Sequence, residues 1–144
     1  MTDPTQLSGR LLGFDFGLKR IGVAVGNTHA KTAQAHCVVP SQDGRPDWAK
    51  ITQLFTQWQP VAAVVGLPKR LDGTDQPLTQ SARKFGQRLG GRYRLPIYFI
   101  EEQLSSVAAE NMAPQTKHHS HKHLDDLAAQ IILTNWLDSW EKTL

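Results

Sequence analysis

Short runs of apolar and β-branched residues divide this chain of 144 residues into segments that favour strands. We expect five strands, at 10–16, 21–25, 33–39, 61–65 and 97–100. Residues 17–20 form a turn between the first two runs, which predicts a hairpin. The fourth run is apolar throughout and ends at Gly66, a pattern typical of a strand that is buried on both faces of a sheet.

Helical periodicity predicts two helices before the fifth strand. The first begins at Pro46 and Asp47 and ends before Pro60. The second covers 76–89, and the pair Gly90-Gly91 should end it. Their apolar sides are formed by Trp48, Ile51, Phe55 and Trp58 in the first helix and by Leu78, Ala82, Phe85 and Leu89 in the second.

After the fifth strand the pattern predicts a short helix that starts at Ser105 or Ser106, a mobile loop over 113–121 and a last helix through 124–137. A three-stranded meander followed by strand–helix–strand units predicts an α/β fold with a mixed five-stranded sheet flanked by helices. Its first three strands should be antiparallel and the later ones parallel. We expect one domain over 10–141, preceded by a flexible segment over 1–9.

Composition narrows the class of protein. The single cysteine, Cys37, excludes a disulfide framework within the chain and a zinc site built from thiolates. No apolar run approaches the ~20 residues of a membrane span. The polar start of the chain lacks the features of a signal peptide, so we expect a cytoplasmic protein with no membrane partner.

Charge is distributed unevenly, although the net charge is only +3. Residues 76–100 contain no acid but five cations, and residues 117–123 contain four histidines and two lysines. Acidic pairs stand beside both tracts, at 101–102 and 125–126. Acids bordered by bases suit a metal-dependent enzyme that acts on a polyanion, and they equally suit two solvated surfaces.

Acidic residues at three places in the chain are candidates for catalysis or metal binding. Asp15 interrupts an apolar strand, where a carboxylate is costly to bury without compensation. Glu101 and Glu102 close the fifth strand, and Asp125 and Asp126 are expected to open the last helix. A strand-end glutamate is often solvated and a helix-start aspartate is often a cap. If the first and fifth strands are neighbours, however, their acids face one cleft at the carboxyl ends of the sheet.

Six motifs, in this order, resemble those of the YqgF/RuvX family over residues 10–137. They are FDFGLKRIGVAV at 14–25, VVGLP at 64–68, LDGT at 71–74, ARKF at 82–85, EEQLSS at 101–106 and LDDLAA at 124–129. The family consists of bacterial RNase H-like proteins described as Holliday-junction-resolvase-like and as pre-16S rRNA nucleases. The resemblance implies an RNase H-like fold and a nuclease that matures the 5′ end of 16S rRNA.

The resemblance also implies a set of site residues. The family's metal-binding and catalytic acids fall on Asp15, Glu102 and Asp125. Helical spacing supports Asp125 over Asp126, because Asp125 shares a line with apolar positions of the last helix. Three carboxylates and no thiolate favour Mg²⁺ or Mn²⁺, and two such ions would hydrolyse a phosphodiester bond.

Four cations are candidates for contacts with nucleic-acid phosphates: Lys19, Arg70, Arg83 and Lys84. Gln103 stands where the family has an arginine, which removes a cation beside the acids. The histidines at 118–123 are interpreted as a weakly basic surface and not as metal ligands. We expect a monomer or a weak homodimer whose partner is nucleic acid.

Three alternatives remain at this point. The first is a DNA resolvase of the Holliday-junction type. The second is a non-catalytic nucleic-acid-binding or transcription factor with the same fold. The third is a nucleotide-binding protein, since Asp15-Phe16-Gly17 also resembles the phosphate loop of the actin-like ATPases, although the chain is too short for their two-lobed cleft.

Overall fold

The computed structural model describes residues 7–102 and 121–143. In chain order, its strands and helices are β1 (Arg10–Asp15), β2 (Arg20–Asn27), β3 (Thr32–Gln42), β4 (Arg45–Pro46), α1 (Trp48–Trp58), β5 (Ala62–Pro68), α2 (Pro77–Tyr93), β6 (Ile97–Glu102) and α3 (His121–Thr143). The predicted short helix at Ser105 or Ser106, and all but the end of the predicted loop over 113–121, lie outside the described residues.

The strands form one mixed sheet in the order β4-β3-β2-β1-β5-β6. β1, β2 and β3 pair antiparallel, whereas β5 pairs parallel with both β1 and β6. The predicted meander and parallel units are therefore confirmed, but the predicted count of five strands is wrong in the described part of the chain. The sixth strand, β4, is only two residues long and pairs with Ser41 and Gln42 across a turn at Asp43-Gly44.

Asp43 and Gly44 both have positive φ, 52° and 82°, as a two-residue hairpin turn requires. The sequence analysis predicts no strand between the third strand and the helix that begins at Pro46, although an Asp-Gly pair is typical of such a turn. β3 also continues past Val39 to Gln42, since it has β4 to pair with.

The glycine pair at 90–91 does not end α2, contrary to the prediction. The helix continues to Tyr93 and ends at Arg94, whose φ is 55° and whose N–H donates to the carbonyl of Gly90. A Cβ on Gly90 would lie 3.1 Å from Cγ1 of Ile97 on β6. At this position, glycine allows the helix to approach the strand closely, and the helix ends one turn later.

The last helix begins at His121, so the prediction that Asp125 and Asp126 open it is also wrong. Both acids lie in its second turn, and its first turn contains no acid. No helix among residues 7–102 and 121–143 is both long and apolar enough to cross a membrane.

The sheet face that packs against α1 and α2 is rich in aromatic rings, and we call it the aromatic face. Leu12, Phe14 and Phe16 point to this side, because alternate side chains of a strand share a face. The ring of Phe14 lies 6.2 Å from that of Phe55 on α1 and 5.5 Å from that of Phe85 on α2. The buried core on this face contains four phenylalanines, Phe14, Phe16, Phe55 and Phe85.

The opposite face of the sheet packs against α3, and several of its residues beneath that helix are glycines. We call it the glycine face, defined by four glycines that lie beneath α3: Gly13, Gly22, Gly26 and Gly66. A Cβ on Gly13 would lie 2.9 Å from Cβ of Leu133. The core on this side includes Leu11 and reaches back to the buried Leu7, three residues before β1.

Candidate catalytic and metal-binding site

Three carboxylates from distant parts of the chain meet at one end of the glycine face. Asp15 is the last residue of β1 and Glu102 is the last residue of β6. Both strands run parallel to β5, so their carboxyl ends meet at the same edge of the sheet. Asp125 reaches that edge from the second turn of α3.

Two glycines make this approach possible. A Cβ on Gly22 of β2 would collide with the backbone carbonyl of Asp125, so α3 can rest on β2 only where the side chain is absent. Gly66 lies on β5, between the strands that carry Asp15 and Glu102. A Cβ there would collide with Ile132 and lie 3.5 Å from Cγ of Glu102. The absence of side chains at these two positions therefore allows α3 and the Glu102 side chain to pack closely against the sheet.

The electrostatics of the site show that the three acids interact. The pKa of Asp15 rises from 3.8 to about 7, first because its carboxyl is buried and then because of the negative charges of Asp125 and Glu102. The pKa of Glu102 is also raised by burial, against the opposing effect of a hydrogen bond from Asn135. A cation at this site would relieve both penalties.

Two polar neighbours orient the acids. Nε of Arg20 donates to Oδ2 of Asp125 at 2.7 Å, forming an ion pair in which both side chains keep some exposure to solvent. Nδ2 of Asn135 donates to Oε1 of Glu102 at 3.3 Å, and Glu102 is only 8% exposed. Arg20 belongs to the family-like motif, but neither it nor Asn135 was singled out from the sequence. Their partners lie 105 and 33 residues away, which no local pattern reveals.

The acids that flank the site residues point elsewhere. Oε1 of Glu101 lies 3.6 Å from Nζ of Lys69, and its side chain is mostly exposed. Asp126 faces β3, where its charge adds to burial in raising the pKa of Cys37. Gln130, one turn further along α3, donates to the carbonyl of Ala33 on the same side. The geometry thus separates Glu102 from Glu101 and Asp125 from Asp126.

The donor set matches a hard divalent cation, because all three groups are carboxylates and Asp15 is desolvated. Within residues 7–102 and 121–143, no three Asp, Glu, His or Cys side chains are placed so that they could hold a metal ion as they stand. One oxygen of Asp125 accepts the hydrogen bond from Arg20. The donor set therefore fits such an ion by its chemistry and not by its present arrangement, and Asp125 would need to exchange Arg20 for the ion.

The four cations predicted to contact phosphates lie in different surroundings. Lys19 is exposed in the β1–β2 turn at the carboxylate end of the sheet. Nη1 of Arg70 donates to Thr74 Oγ1 and to the carbonyl of Asp75, which braces the loop after β5. Nη1 of Arg83 lies 3.3 Å from Oδ2 of Asp75. Lys84 lines an open groove on the aromatic face.

Arg83 and Lys84 are adjacent in sequence but lie in different surroundings. Asp75 holds Arg83 and also pairs with Lys69, so both cations are engaged within the protein. The structure brings the three carboxylates to one end of the sheet, whereas of the four predicted cations it joins two, Arg70 and Arg83, through a shared partner, Asp75. Gln103, the departure from the family pattern, lies outside the described residues.

Comparison with known proteins gives consistent results. A family model described as "RuvX: Holliday junction resolvase" matches residues 9–139. A protein of Hydrogenovibrio crunogenus named "Putative pre-16S rRNA nuclease" is 58% identical over 96% of this chain and 99% of its own length. A Coxiella burnetii protein of the same name is 45% identical over 88% of this chain and 90% of its own length.

Solved structures are similar in fold at low sequence identity. Thermus thermophilus RuvC in complex with a Holliday junction substrate aligns with a TM-score of 0.58 at 16% identity, over 90% of this chain and 94% of that one. The fowlpox virus Holliday junction resolvase aligns with a TM-score of 0.56 at 15% identity, over 94% and 99%. These likenesses confirm the RNase H-like fold that the sequence motifs implied.

Proposed function

Because the chain belongs to the RuvX family of Holliday junction resolvases, we propose that it is a nuclease that depends on divalent metal ions. The observation that carries this proposal is the position of Asp15 at the carboxyl end of β1, where desolvation and the charges of Asp125 and Glu102 raise the pKa of its carboxyl. A protein that only bound the phosphates of a polyanion would gain nothing from three clustered negative charges. The non-catalytic alternative is therefore disfavoured.

In this proposal Asp15, Glu102 and Asp125 hold two Mg²⁺ or Mn²⁺ ions. When bound, such ions activate a water molecule and stabilise the charge that develops on the leaving oxygen of a phosphodiester. Asp15 interacts with both of the other acids and would be one of the ligands that hold the ions. Its carboxyl must be ionised for this role, although burial and its neighbours disfavour that charge in the metal-free protein.

The remaining polar residues of the site position these ligands. Asn135 donates to one oxygen of Glu102, which leaves the other oxygen available for coordination. Arg20 holds Asp125 beside β2 in the metal-free protein. Once released, its guanidinium would lie at the edge of the site, where it could approach a phosphate oxygen. Lys19, in the adjacent turn, is a further candidate for such a contact.

We propose precursor 16S rRNA as the substrate, acted on near its 5′ end. The support is that relatives named for this activity match nearly the whole chain at 45–58% identity. The structures of DNA junction resolvases share only about 16% identity, which speaks to the fold alone. Cys37 is a free thiol, in keeping with a cytoplasmic location.

The proposal is tested with purified protein, Mn²⁺ or Mg²⁺, a 5′-extended 16S rRNA precursor and a four-way DNA junction. We expect cleavage of the RNA, and we expect Asp15→Asn to slow it about a thousandfold, equivalent to ~4 kcal/mol of transition-state stabilisation. Asp138→Asn serves as the matched control because Asp138 is an exposed aspartate on α3, outside the site.

Three outcomes would contradict parts of this proposal. Equal cleavage by wild type and Asp15→Asn would show that the carboxylate site is not catalytic. Cleavage of the DNA junction alone would favour the resolvase alternative. Tight binding of ATP without cleavage of either nucleic acid would favour the nucleotide-binding alternative.

A further inference from the structure

A groove of about 270 Å³ opens on the aromatic face of the sheet, at the same end as the carboxylates but on the other side. Its floor is formed by Phe16 and Phe85, whose ring centroids are 5.1 Å apart. Phe16 follows Asp15 directly in the chain, and the two side chains alternate across the sheet. The groove therefore lies one residue away from the proposed catalytic site along the backbone.

Three cations line this groove: Arg45 from β4, and Lys84 and Arg88 from α2. Among the described residues of the lining, Asp43 is the one acid. Among the described residues, none of the three cations makes an ion pair within 4.0 Å, unlike Arg20, Lys69 and Arg83 nearby. The lining thus carries positive charge that the described part of the fold does not neutralise.

The spacing of these cations disfavours a purely structural role. Lys84 and Arg88 are four residues apart on α2, so their charges lie on neighbouring turns of one helix face. Like charges at this spacing destabilise a helix slightly. The negative charges of a bound polyanion would attract both side chains and offset the repulsion between them.

The wall opposite α2 is fixed in place by backbone hydrogen bonds. The N–H of Gly44 donates to the carbonyl of Leu18 at 3.0 Å, and the N–H of Ser41 donates to the carbonyl of Lys19 at 2.9 Å. These bonds tie the β3–β4 hairpin to the β1–β2 turn. Leu18 stands at the rim with 52% of its surface exposed. The groove therefore combines a preformed shape, exposed apolar surface and clustered positive charge.

We propose that this groove binds the sugar–phosphate backbone of the nucleic-acid strand a few nucleotides away from the bond that is cut. Lys84, Arg88 and Arg45 would contact phosphates, and Leu18 would pack against a sugar or a base. This inference rests on the proposed nuclease function and adds a second, non-catalytic contact region to it. It also assigns substrate contacts to Arg45 and Arg88, which the family resemblance did not single out.

The test compares the double variant Lys84→Ala/Arg88→Ala with the control Lys50→Ala/Arg92→Ala. Both remove two exposed positive charges, but Lys50 and Arg92 do not line the groove. Binding of a long fluorescent single-stranded RNA is measured by anisotropy in EDTA, so the readout does not depend on cleavage. We expect the groove variant to bind about tenfold more weakly. The slope of log affinity against log salt should also fall by about 1.4, as expected for two lost contacts with single-stranded phosphates.

Cleavage of substrates of two lengths provides a second readout. The groove variant should cleave the long RNA with a raised KM but should process a tetranucleotide at the wild-type rate, because the short substrate does not reach the groove. Circular dichroism confirms that both double variants are folded. If wild type cleaves neither RNA, the proposed function fails, whereas the anisotropy result still decides whether the groove binds RNA.

The inference is overturned if the groove and control variants bind long RNA with equal affinity and equal salt slope. It is also overturned if wild type binds polyglutamate through Lys84 and Arg88 while RNA binding is the same in both variants, since the groove would then serve an acidic protein. A loss of tetranucleotide cleavage equal to the loss for long RNA would likewise contradict it, because it would place these cations at the scissile bond.

Discussion

The aromatic face and the glycine face of the sheet differ in how closely their helices approach and in what they bring to its end. On the aromatic face, rings such as Phe14 and Phe85 fill the space between β1 and the helices. On the glycine face, Gly22 lets the backbone of α3 rest directly on β2. The first arrangement buries much apolar surface, whereas the second places Asp125 near Asp15 against electrostatic repulsion. Both faces therefore bury a hydrophobic core, but the three carboxylates of the candidate site gather on the glycine face.

Among changes in packing, the largest loss of activity should follow from the loss of close approach on the glycine face. Gly22→Ala places a methyl group where the carbonyl of Asp125 lies, so α3 must move away from β2. We expect cleavage to fall about a hundredfold, since a misplacement of about 1 Å is enough for such a loss. Gly91→Ala is the matched control, because a Cβ there meets nothing within 4 Å. The control should stabilise α2 by up to about 1 kcal/mol and leave cleavage unchanged.

Equal cleavage by Gly22→Ala and wild type would show that the spacing between α3 and β2 does not control the site. Thermal unfolding of both variants, measured in parallel, separates misplacement from loss of the folded state.

A cavity on the aromatic face should lower the stability of the fold and leave kcat nearly unchanged. Phe55 contacts Phe14 and stacks on Tyr93 at a ring separation of 4.0 Å. Phe55→Ala should lower the free energy of unfolding by about 3–5 kcal/mol. The kcat of the folded fraction should stay close to that of wild type, because none of the three site carboxylates lies on that face. Urea denaturation combined with cleavage at low temperature tests this, and a fall in kcat as large as that of Gly22→Ala would erase the distinction between the faces.

The repulsion on the glycine face should appear as a pH dependence of stability in the metal-free protein. The folded state raises the pKa of Asp15 to about 7 and also raises that of Glu102, so it binds more protons than the unfolded chain between about pH 4 and pH 7. The free energy of unfolding should therefore fall by roughly 2–4 kcal/mol as pH rises through this window.

Asp72 and Asp75 affect the pH dependence of stability only at lower pH, because their hydrogen bonds lower their pKa values. Urea titrations in EDTA at several pH values measure the dependence. Asp15→Asn should flatten it and should be more stable than wild type at pH 8. A wild-type stability that stays constant from pH 5 to pH 8 would contradict the proposed repulsion.

The smallest effect is expected for the ion pair at the edge of the site. Arg20 and Asp125 are partly exposed, so Arg20→Gln should change stability by about 1 kcal/mol or less. It should nevertheless increase the affinity for Mn²⁺, measured by isothermal titration calorimetry, because Asp125 no longer has to leave a cation. Arg10→Gln, at the other end of β1, is the control. Weaker Mn²⁺ binding by Arg20→Gln would indicate that Arg20 positions Asp125 for the ion.

The difference between the faces also explains what the sequence could reveal. Asp15 stood out because it interrupts an apolar strand, and the order of elements followed from apolar runs and helical periodicity. The same local logic failed at Gly90-Gly91, where a pattern that normally ends a helix instead allows contact with Ile97. It also failed for β4, a strand of two residues that pairs with the end of β3.

The site was predictable to the level of its three acids but not of their partners. Motif resemblance selected Glu102 and Asp125, and the surroundings of Glu101 and Asp126 agree with that selection. Arg20 and Asn135 depend on contacts between elements far apart in the chain, so their roles required the fold. The groove lined by Arg45, Lys84 and Arg88 joins three segments in the same way.

The central claim is that folding places the partly buried Asp15 beside two other carboxylates, where a divalent cation would relieve the repulsion. The most direct test follows the Asp15 carboxyl carbon by NMR through a pH titration of the metal-free protein. The account predicts a pKa of about 7, a lower value in Asp125→Asn, and loss of the transition from this range when Mg²⁺ is added. A pKa near 4 that neither the substitution nor Mg²⁺ changes would contradict the account.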